Sequence, residues 1–93
     1  MLRRVRPYDP ERVCQNVGRR IAELRKERGL TQEQFSVLLG TSFQWVSQLE
    51  AGRNVTLHSL AGIANALHVT LDELLVPPKA PSRPRQVGRP RRG

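Results

Sequence analysis

A short run of uncharged polar side chains near the middle of the chain has the residue types that bind nucleobases. If a helix begins near residue 43, Val46 and Leu49 point inward and leave an outward stripe of Phe43, Gln44, Ser47 and Gln48. Glutamine pairs with adenine through two hydrogen bonds, serine is an adaptable partner, and an aromatic ring contacts the thymine methyl group. A plain solvated face more often carries Lys and Glu, so this neutral stripe favours contact with base edges. The alternative is that Phe43 or Trp45 packs into the core, and we expect this of Trp45 rather than Phe43.

Other kinds of chemistry lack the residues they would need. Cys14 is the only cysteine, which excludes an intrachain disulfide and a cysteine-cluster zinc site and predicts a reducing, cytoplasmic compartment. The two histidines, His58 and His68, have no cysteine partners at metal-binding spacing. No nucleophile with a base, glycine-rich phosphate loop or pair of carboxylates stands at useful spacing. We therefore expect no enzymatic activity, no metal and no cofactor.

The charge of the chain predicts a polyanionic partner and is concentrated at the two ends. Sixteen Lys and Arg residues against eight Asp and Glu give a net charge of +8. Residues 1–12 hold a small excess of arginine, residues 13–75 are balanced, and residues 76–93 hold basic residues without an acid. No run approaches the ~18 apolar residues of a membrane span, so we expect a soluble protein that is not exported.

The elements that must position the neutral stripe are short helices. Apolar residues recur every three or four positions, and no strand-like alternation of useful length is present. Residues that can cap the beginning of a helix occur at five places: Asp9-Pro10, Thr31, Thr41-Ser42, Thr56 and Thr70. Gly29, Gly40 and Pro77-Pro78 are the expected stops. The sequence predicts an all-α, compact five-helix bundle over residues 9–76, with a basic arm at 1–8 and a disordered Arg- and Pro-rich tail at 77–93.

Each helix is expected to bury one apolar face. The inward residues predicted from spacing are Val13, Val17, Ile21 and Leu24, then Phe35, Leu38 and Leu39, then Val46 and Leu49, then Leu57, Leu60, Ile63, Ala64 and Leu67, and finally Leu71, Leu74 and Leu75.

Helices two and three, joined by a turn containing Gly40, have the layout of a helix-turn-helix, whose second helix enters the DNA major groove. On geometry alone, a corner of an ordinary bundle fits equally well. The run from Gly29 to Arg53, GLTQEQFSVLLGTSFQWVSQLEAGR, resembles the helix-turn-helix of phage repressors, Cro proteins and their bacterial relatives. The downstream pattern Ile63-Ala64, Ala66-Leu67 and Leu71-Asp72-Glu73-Leu74 is also similar, so the resemblance covers about residues 13–75.

The resemblance implies a role for each matching position. It implies double-stranded DNA as the partner, with base edges facing Ser42, Phe43, Gln44, Ser47 and Gln48. It places Gln32, Trp45, Arg53 and Asn54 near the sugar-phosphate backbone, and it pairs Arg25 with Glu50 as a structural salt bridge. Phe43 and Trp45 depart from the usual residue types. His68 stands where relatives often have glycine, and we expect it to be a cap in the left-handed conformation.

The basic tail and a second copy of the chain would complete the binding unit. We expect phosphate or minor-groove contacts from the tail arginines: Arg83, Arg85, Arg89, Arg91 and Arg92. Gly88-Arg89-Pro90 resembles a minor-groove hook, but short matches in such sequence are common, so a generic basic tail is favoured. Because one recognition helix reads few base pairs, a homodimer on a two-fold operator is expected. Its predicted surface lies on helix five and adjacent parts of helix four and includes Leu71, Leu74, Leu75 and Val76.

The leading hypothesis is a transcriptional regulator, either a repressor or a small autoregulatory controller like those of restriction-modification systems. An alternative with the same fold is an antitoxin-like or other regulatory module whose main partner is another protein. Binding of RNA or nonspecific compaction of DNA through the tail is a further alternative, which competition between specific and bulk DNA would distinguish.

Overall fold

The computed structural model describes residues 7–79, and within that range the chain is entirely helical apart from its connections. The helices are α1 (Pro10–Glu27), α2 (Gln32–Leu39), α3 (Phe43–Glu50), α4 (Leu57–Leu67) and α5 (Leu71–Leu74). This arrangement confirms the predicted all-α, five-helix fold. No helix in this range is long and apolar enough to cross a membrane. The predicted arm at 1–8 and tail at 77–93 lie largely outside the described residues.

The helices begin where the sequence supplies an acceptor for their free amide groups. The side chain of Asp9 accepts a hydrogen bond from the amide of Glu11, and Pro10 occupies the first turn of α1. At α2 the capping box is complete, since Thr31 and Gln34 each accept a hydrogen bond from the other's backbone amide. The remaining caps are serine or threonine, namely Ser42, Thr56 and Thr70. These side chains fix the start of every helix locally.

The four longer helices end in the same backbone turn. In each, the amides of two consecutive residues donate back to carbonyls three and five positions earlier, which is the Schellman arrangement. The turn needs a left-handed residue, and the chain supplies Gly29, Gly40, Gly52 and His68, all with positive φ. His68 adopts φ 59°, so its predicted role as a left-handed cap is confirmed.

The core is a single buried cluster to which all five helices contribute residues. Phe35, Val46, Leu67 and Leu74 have no exposed surface. The other members of the buried cluster are Ile21, Leu24, Leu49, Ile63 and Ala64. Together these residues hold α2 and α3 against the rest of the domain.

Several residues predicted to be buried are exposed instead. On α2 the buried pair is Phe35 and Ser36, while Leu38 is 57% exposed. The hydroxyl of Ser36 donates to the carbonyl of Glu33 at 2.7 Å, so this polar side chain can be buried and the inward face turns away from Leu38. Leu57, at the first position of α4, is 77% exposed, since the buried residues of that helix, Ile63, Ala64 and Leu67, begin more than one turn later.

Two of the three leucines predicted to be buried on α5 are also exposed. Leu74 alone of its predicted leucines is buried, whereas Leu71 and Leu75 are exposed. Val13, in the second turn of α1, is also partly exposed and lies near this side of the domain. A helix of four residues has only one inward position, which Leu74 occupies.

Candidate nucleic-acid interface

α2 and α3 form a tight corner that presents α3 on the surface. Gly40 ends α2 with φ 70°, and the amide of Thr41 donates to the carbonyl of Ser36 at 2.9 Å. Ser42 then caps α3 by accepting from the amide of Trp45 at 3.0 Å. Two residues therefore separate the end of one helix from the cap of the next, which gives α3 a fixed direction.

The outward face of α3 is uncharged and accessible. Phe43 is 48% exposed, Gln44 and Gln48 are exposed, and Ser47 is half-buried. Val46 and Leu49 point into the core, as the spacing predicts. The hydroxyl oxygen of Ser42 accepts the capping hydrogen bond, which leaves its proton available as a donor. The exposed side chains thus supply amide, hydroxyl and aromatic groups at one surface.

Trp45 takes an intermediate position. Its side chain is half-buried and packs against the core cluster, and it borders a shallow cleft between α3 and α4. His58, Ser59 and Gly62 line the α4 side of that cleft. The indole therefore serves partly as packing, as expected of Trp45, and keeps one edge beside the exposed face.

A buried ion pair ties α3 to α1. Arg25 Nε donates to Glu50 Oε2 at 2.6 Å and Arg25 Nη2 donates to Glu50 Oε1 at 3.0 Å, with side-chain exposures of 8% and 7%. The remaining guanidinium nitrogen, Nη1, donates to the carbonyl of Leu30 at 2.7 Å. This two-bond geometry fixes orientation as well as distance. The end of α3 is therefore anchored to α1 and to the loop before α2.

Gln32 takes part in the same cluster. Its Nε2 donates to Glu50 Oε1 at 2.9 Å, so the first residue of α2 is bonded to the last residue of α3. The resemblance assigns Gln32 a phosphate contact, and its amide group has a second N–H donor for such a contact. The hydrogen bond to Glu50 gives Gln32 a structural function that the sequence did not indicate.

Arg53 and Asn54 follow α3 and are both exposed. Arg53 Nη1 donates to Gln48 Oε1 at 2.6 Å, which links a residue assigned to the backbone of DNA with one assigned to a base. No sequence pattern identified this pair, because it depends on how the chain turns after α3.

Gly18 is a positioning residue that sequence reasoning missed. A Cβ atom at this position would overlap the carbonyl oxygen of Leu49 and crowd the carbonyl group of Glu50. Glycine inside a helix costs about 0.5–1 kcal/mol relative to alanine, so an isolated one in a helical pattern is a signal that could have been used. Here glycine lets α1 approach the end of α3 closely.

The charge of the described domain is balanced. Residues 7–79 contain eight Lys and Arg side chains and eight Asp and Glu side chains. The whole excess of +8 therefore belongs to residues 1–6 and 80–93, where Arg83, Arg85, Arg89, Arg91 and Arg92 lie outside the described residues. Within 7–79, no group of His, Cys, Asp and Glu is arranged to hold a metal ion.

The predicted dimer surface needs one correction and one extension. Leu74 is completely buried within its own chain, so it cannot offer a side chain to a second copy. Leu71, Leu75 and Val76 remain exposed. An apolar groove of about 690 Å³ runs from Leu75 and Val76 to the start of α1, where its lining includes Tyr8 and Val13. The apolar surface beside α5 thus continues onto α1.

One protein-family model and several known protein sequences are similar to this chain. The helix-turn-helix family model matches residues 21–74. An uncharacterized HTH-type transcriptional regulator of Sinorhizobium fredii is 47% identical over 62 residues, covering 66% of this chain and 80% of the relative. An uncharacterized HTH-type transcriptional regulator of Bacillus subtilis is 36% identical over 63 residues, covering 67% of this chain and 91% of the relative.

Solved structures of other proteins are also similar to this chain. The restriction-modification controller protein C.AhdI from Aeromonas hydrophila is similar with a TM-score of 0.63 and 37% identity, covering 66% of this chain and 94% of that one. A hypothetical transcription factor from Neisseria is similar with a TM-score of 0.68 and 26% identity, covering 76% of this chain and 81% of that one.

Proposed function

Because the chain belongs to the helix-turn-helix family of DNA-binding transcriptional regulators, which are not enzymes, we propose that it binds a two-fold operator as a homodimer. In this proposal α3 lies in the major groove, and the bound protein acts as a repressor or as a small autoregulatory controller. The similarity to a restriction-modification controller protein supports a small autoregulatory role of this kind.

The observation that carries the proposal is the uncharged outward face of α3. Phe43, Gln44 and Gln48 are exposed on a helix whose end is held by the ion pair of Arg25 and Glu50. Direct readout requires amide and hydroxyl groups held at a fixed distance from base edges. Each well-placed pair of hydrogen bonds between a side chain and a base contributes about 1–3 kcal/mol of discrimination against the wrong base. We propose that Ser42, which precedes this face, and Ser47, which lies within it, add further contacts. Phe43 would contact a thymine methyl group.

Contacts to the sugar-phosphate backbone would hold α3 in register. We assign these to residues around the exposed face: Gln32 at the start of α2, Trp45 beside the cleft between α3 and α4, and Arg53 and Asn54 after α3. Arg53 brings positive charge to the rim, and the second N–H of the Gln32 amide can donate to a phosphate oxygen. These contacts orient the domain and carry no sequence information of their own.

The terminal arginines would supply most of the electrostatic attraction, because the described domain has no net charge. Each phosphate neutralised on duplex DNA contributes about 0.9 to the slope of log affinity against log salt. We therefore propose that residues 80–93 contact phosphates. Removing them should flatten the salt dependence while the preferred sequence stays the same.

The homodimer would use the apolar surface beside α5. Leu71, Leu75 and Val76 together with Tyr8 and Val13 expose apolar side chains that the monomer leaves uncovered. A second copy seated here would cover the exposed apolar groups. Paired α3 helices would then meet half-sites about 34 Å apart.

Selection of bound sequences from random duplex DNA tests the proposal directly. The full chain and a chain ending at residue 79 should both enrich one two-fold site, and competition at about 150 mM salt should favour that site over bulk DNA by ~10³ or more. The shortened chain should show the weaker salt dependence. Failure to enrich any sequence, or enrichment of an asymmetric single half-site, would contradict the proposed mode of binding.

A further inference from the structure

The backbone turn at the end of α3 fixes Arg53 beside Gln48. The amides of Gly52 and Arg53 donate to the carbonyls of Leu49 and Gln48 at 3.1 and 3.0 Å. Gly52 adopts φ 111°, in the left-handed region that this turn requires. The residue after the glycine then contacts the residue three positions before the cap, and that contact is commonly apolar. Here it is polar, with Arg53 Nη1 donating to Gln48 Oε1 at 2.6 Å.

This hydrogen bond determines which groups Gln48 offers to a base. A glutamine side chain has a carbonyl oxygen that accepts and an NH₂ group that donates. The two-bond pair with adenine uses both, because adenine presents the acceptor N7 next to the donor N6–H₂. A guanidinium is always charged, and its hydrogen bonds are about twice as strong as neutral ones. Arg53 therefore holds the carbonyl of Gln48 on its own side, and the NH₂ group points away from it.

We propose that Arg53 is a specificity-determining positioning residue and that Gln48, held by it, reads guanine rather than adenine. This inference rests on the proposed function above. Guanine presents two acceptors in the major groove, N7 and O6, and the NH₂ group of Gln48 matches them. Adenine would bring its N6–H₂ donors against the NH₂ group. The other N–H donors of Arg53 can reach the neighbouring phosphate, so one side chain links a backbone contact to a base contact.

The test compares two duplexes that differ only in guanine or adenine at one base pair. That base pair is identified as the one at which Gln48→Ala loses preference in the selection experiment. Wild-type protein should favour the guanine duplex by about tenfold. Arg53→Met, which keeps an unbranched apolar stem and removes the guanidinium with its donors, should abolish or reverse this preference and weaken binding to both duplexes.

Two controls separate positioning from loss of charge. Arg12→Met removes one charge from an exposed site on α1 and should leave the ratio of the two affinities unchanged. In a Gln48→Ala background, Arg53→Met should weaken both duplexes equally, because the amide it positions is gone. Thermal unfolding of Arg53→Met should match that of wild type, since Arg53 is exposed.

Each outcome of these measurements supports or overturns a stated proposal. If Arg53→Met lowers both affinities by the same factor while Gln48 is present, Arg53 is only a phosphate contact and the inference is wrong. A wild-type preference for adenine at that base pair also overturns it and leaves the proposed function intact. If wild-type protein selects no sequence at all, the proposed function itself has failed.

Discussion

Gly18 of α1 packs directly against the carbonyl oxygen of Leu49 in α3, so these two helices meet main chain to main chain. The close approach lies two helical turns before Arg25, whose guanidinium reaches Glu50 at the end of α3. One contact sets how near α1 lies to α3, and the other sets the direction in which α3 leaves the domain. Both act on the helix proposed to read DNA.

Gly18→Ala should destabilise the domain. The added methyl group meets backbone atoms of Leu49 and Glu50, which cannot move as a flexible side chain can, so the free energy of unfolding should fall by about 1–3 kcal/mol. Gly62→Ala is the matched control, because Gly62 is helical and its Cβ would meet nothing within 4 Å. That control should gain about 0.5–1 kcal/mol. Urea unfolding measures both, and equal effects of the two substitutions would contradict the close approach.

Arg25→Met should be among the most damaging single changes in α1, because Arg25 is buried. It leaves the Glu50 carboxylate buried beside Gln32 alone, at an expected cost of about 3–5 kcal/mol in unfolding free energy. The double variant Arg25→Met/Glu50→Gln should lose less, because no buried charge remains. Chemical denaturation of both proteins provides the comparison, and a double variant that is less stable than Arg25→Met would show that the pair is not coupled in this way.

His68→Gly should stabilise the domain by about 0.5–1 kcal/mol, because His68 holds φ 59° where glycine is unstrained. Arg28 contacts the backbone carbonyl of His68 at 3.4 Å, and that contact does not depend on the imidazole. His58→Gly is the control in a helical position and should lose a similar amount. Melting temperatures of the two variants should therefore move in opposite directions.

Gln44→Ala should relax sequence preference at one base pair of the selected site by about 1–3 kcal/mol. Gln32→Ala should instead weaken binding to all sequences, and because it also removes a hydrogen bond to Glu50 it should lower the unfolding free energy by about 0.5–1.5 kcal/mol. Binding measured on a panel of single-base variants, together with denaturation, separates the two behaviours. Equal loss on every duplex for Gln44→Ala would remove Gln44 from the base-reading face.

Leu75→Glu should convert the proposed homodimer to a monomer. Leu75 is 62% exposed beside the groove, so the substitution places a charge in the surface assigned to the second copy. Leu57→Glu changes a leucine on α4 that is more exposed than Leu75, at 77%, and should leave the dimer intact. Sedimentation equilibrium gives the masses. If Leu57→Glu dissociated the dimer and Leu75→Glu did not, the interface would lie on α4 instead.

The sequence predicted best those features that depend on a few neighbouring residues. Helix starts were predictable because a side chain such as Thr31 bonds an amide three residues away. Exposure was less predictable where tertiary packing rotates a helix, as when buried Ser36 displaces Leu38 on α2. Gly18 gave only a weak signal, because nothing local shows which element needs the space.

In the candidate site, too, the local features were predictable from the sequence and the features set by tertiary structure were not. Spacing alone predicted which side of α3 faces outward, since Val46 and Leu49 had to be buried. The bond between Arg53 and Gln48 was not predictable from residue types, because it follows from the turn at Gly52 and from the direction in which the chain leaves α3. Hydrogen bonds that span a turn require the backbone path, which composition and period do not contain.

Glu50 accepts hydrogen bonds from α1 through Arg25 and from α2 through Gln32, while it is itself the last residue of α3. Three helices thus share one carboxylate, so rotation of α3 about its own axis would break the hydrogen bonds of Glu50 with Arg25 and Gln32. Such a domain meets its target as a rigid template. In the proposed complex, a difference in curvature or groove width between two duplexes would be absorbed by the duplex itself or at the junction between the two copies of the proposed homodimer. We therefore expect stiff DNA sequences to bind more weakly even through base pairs that no side chain touches.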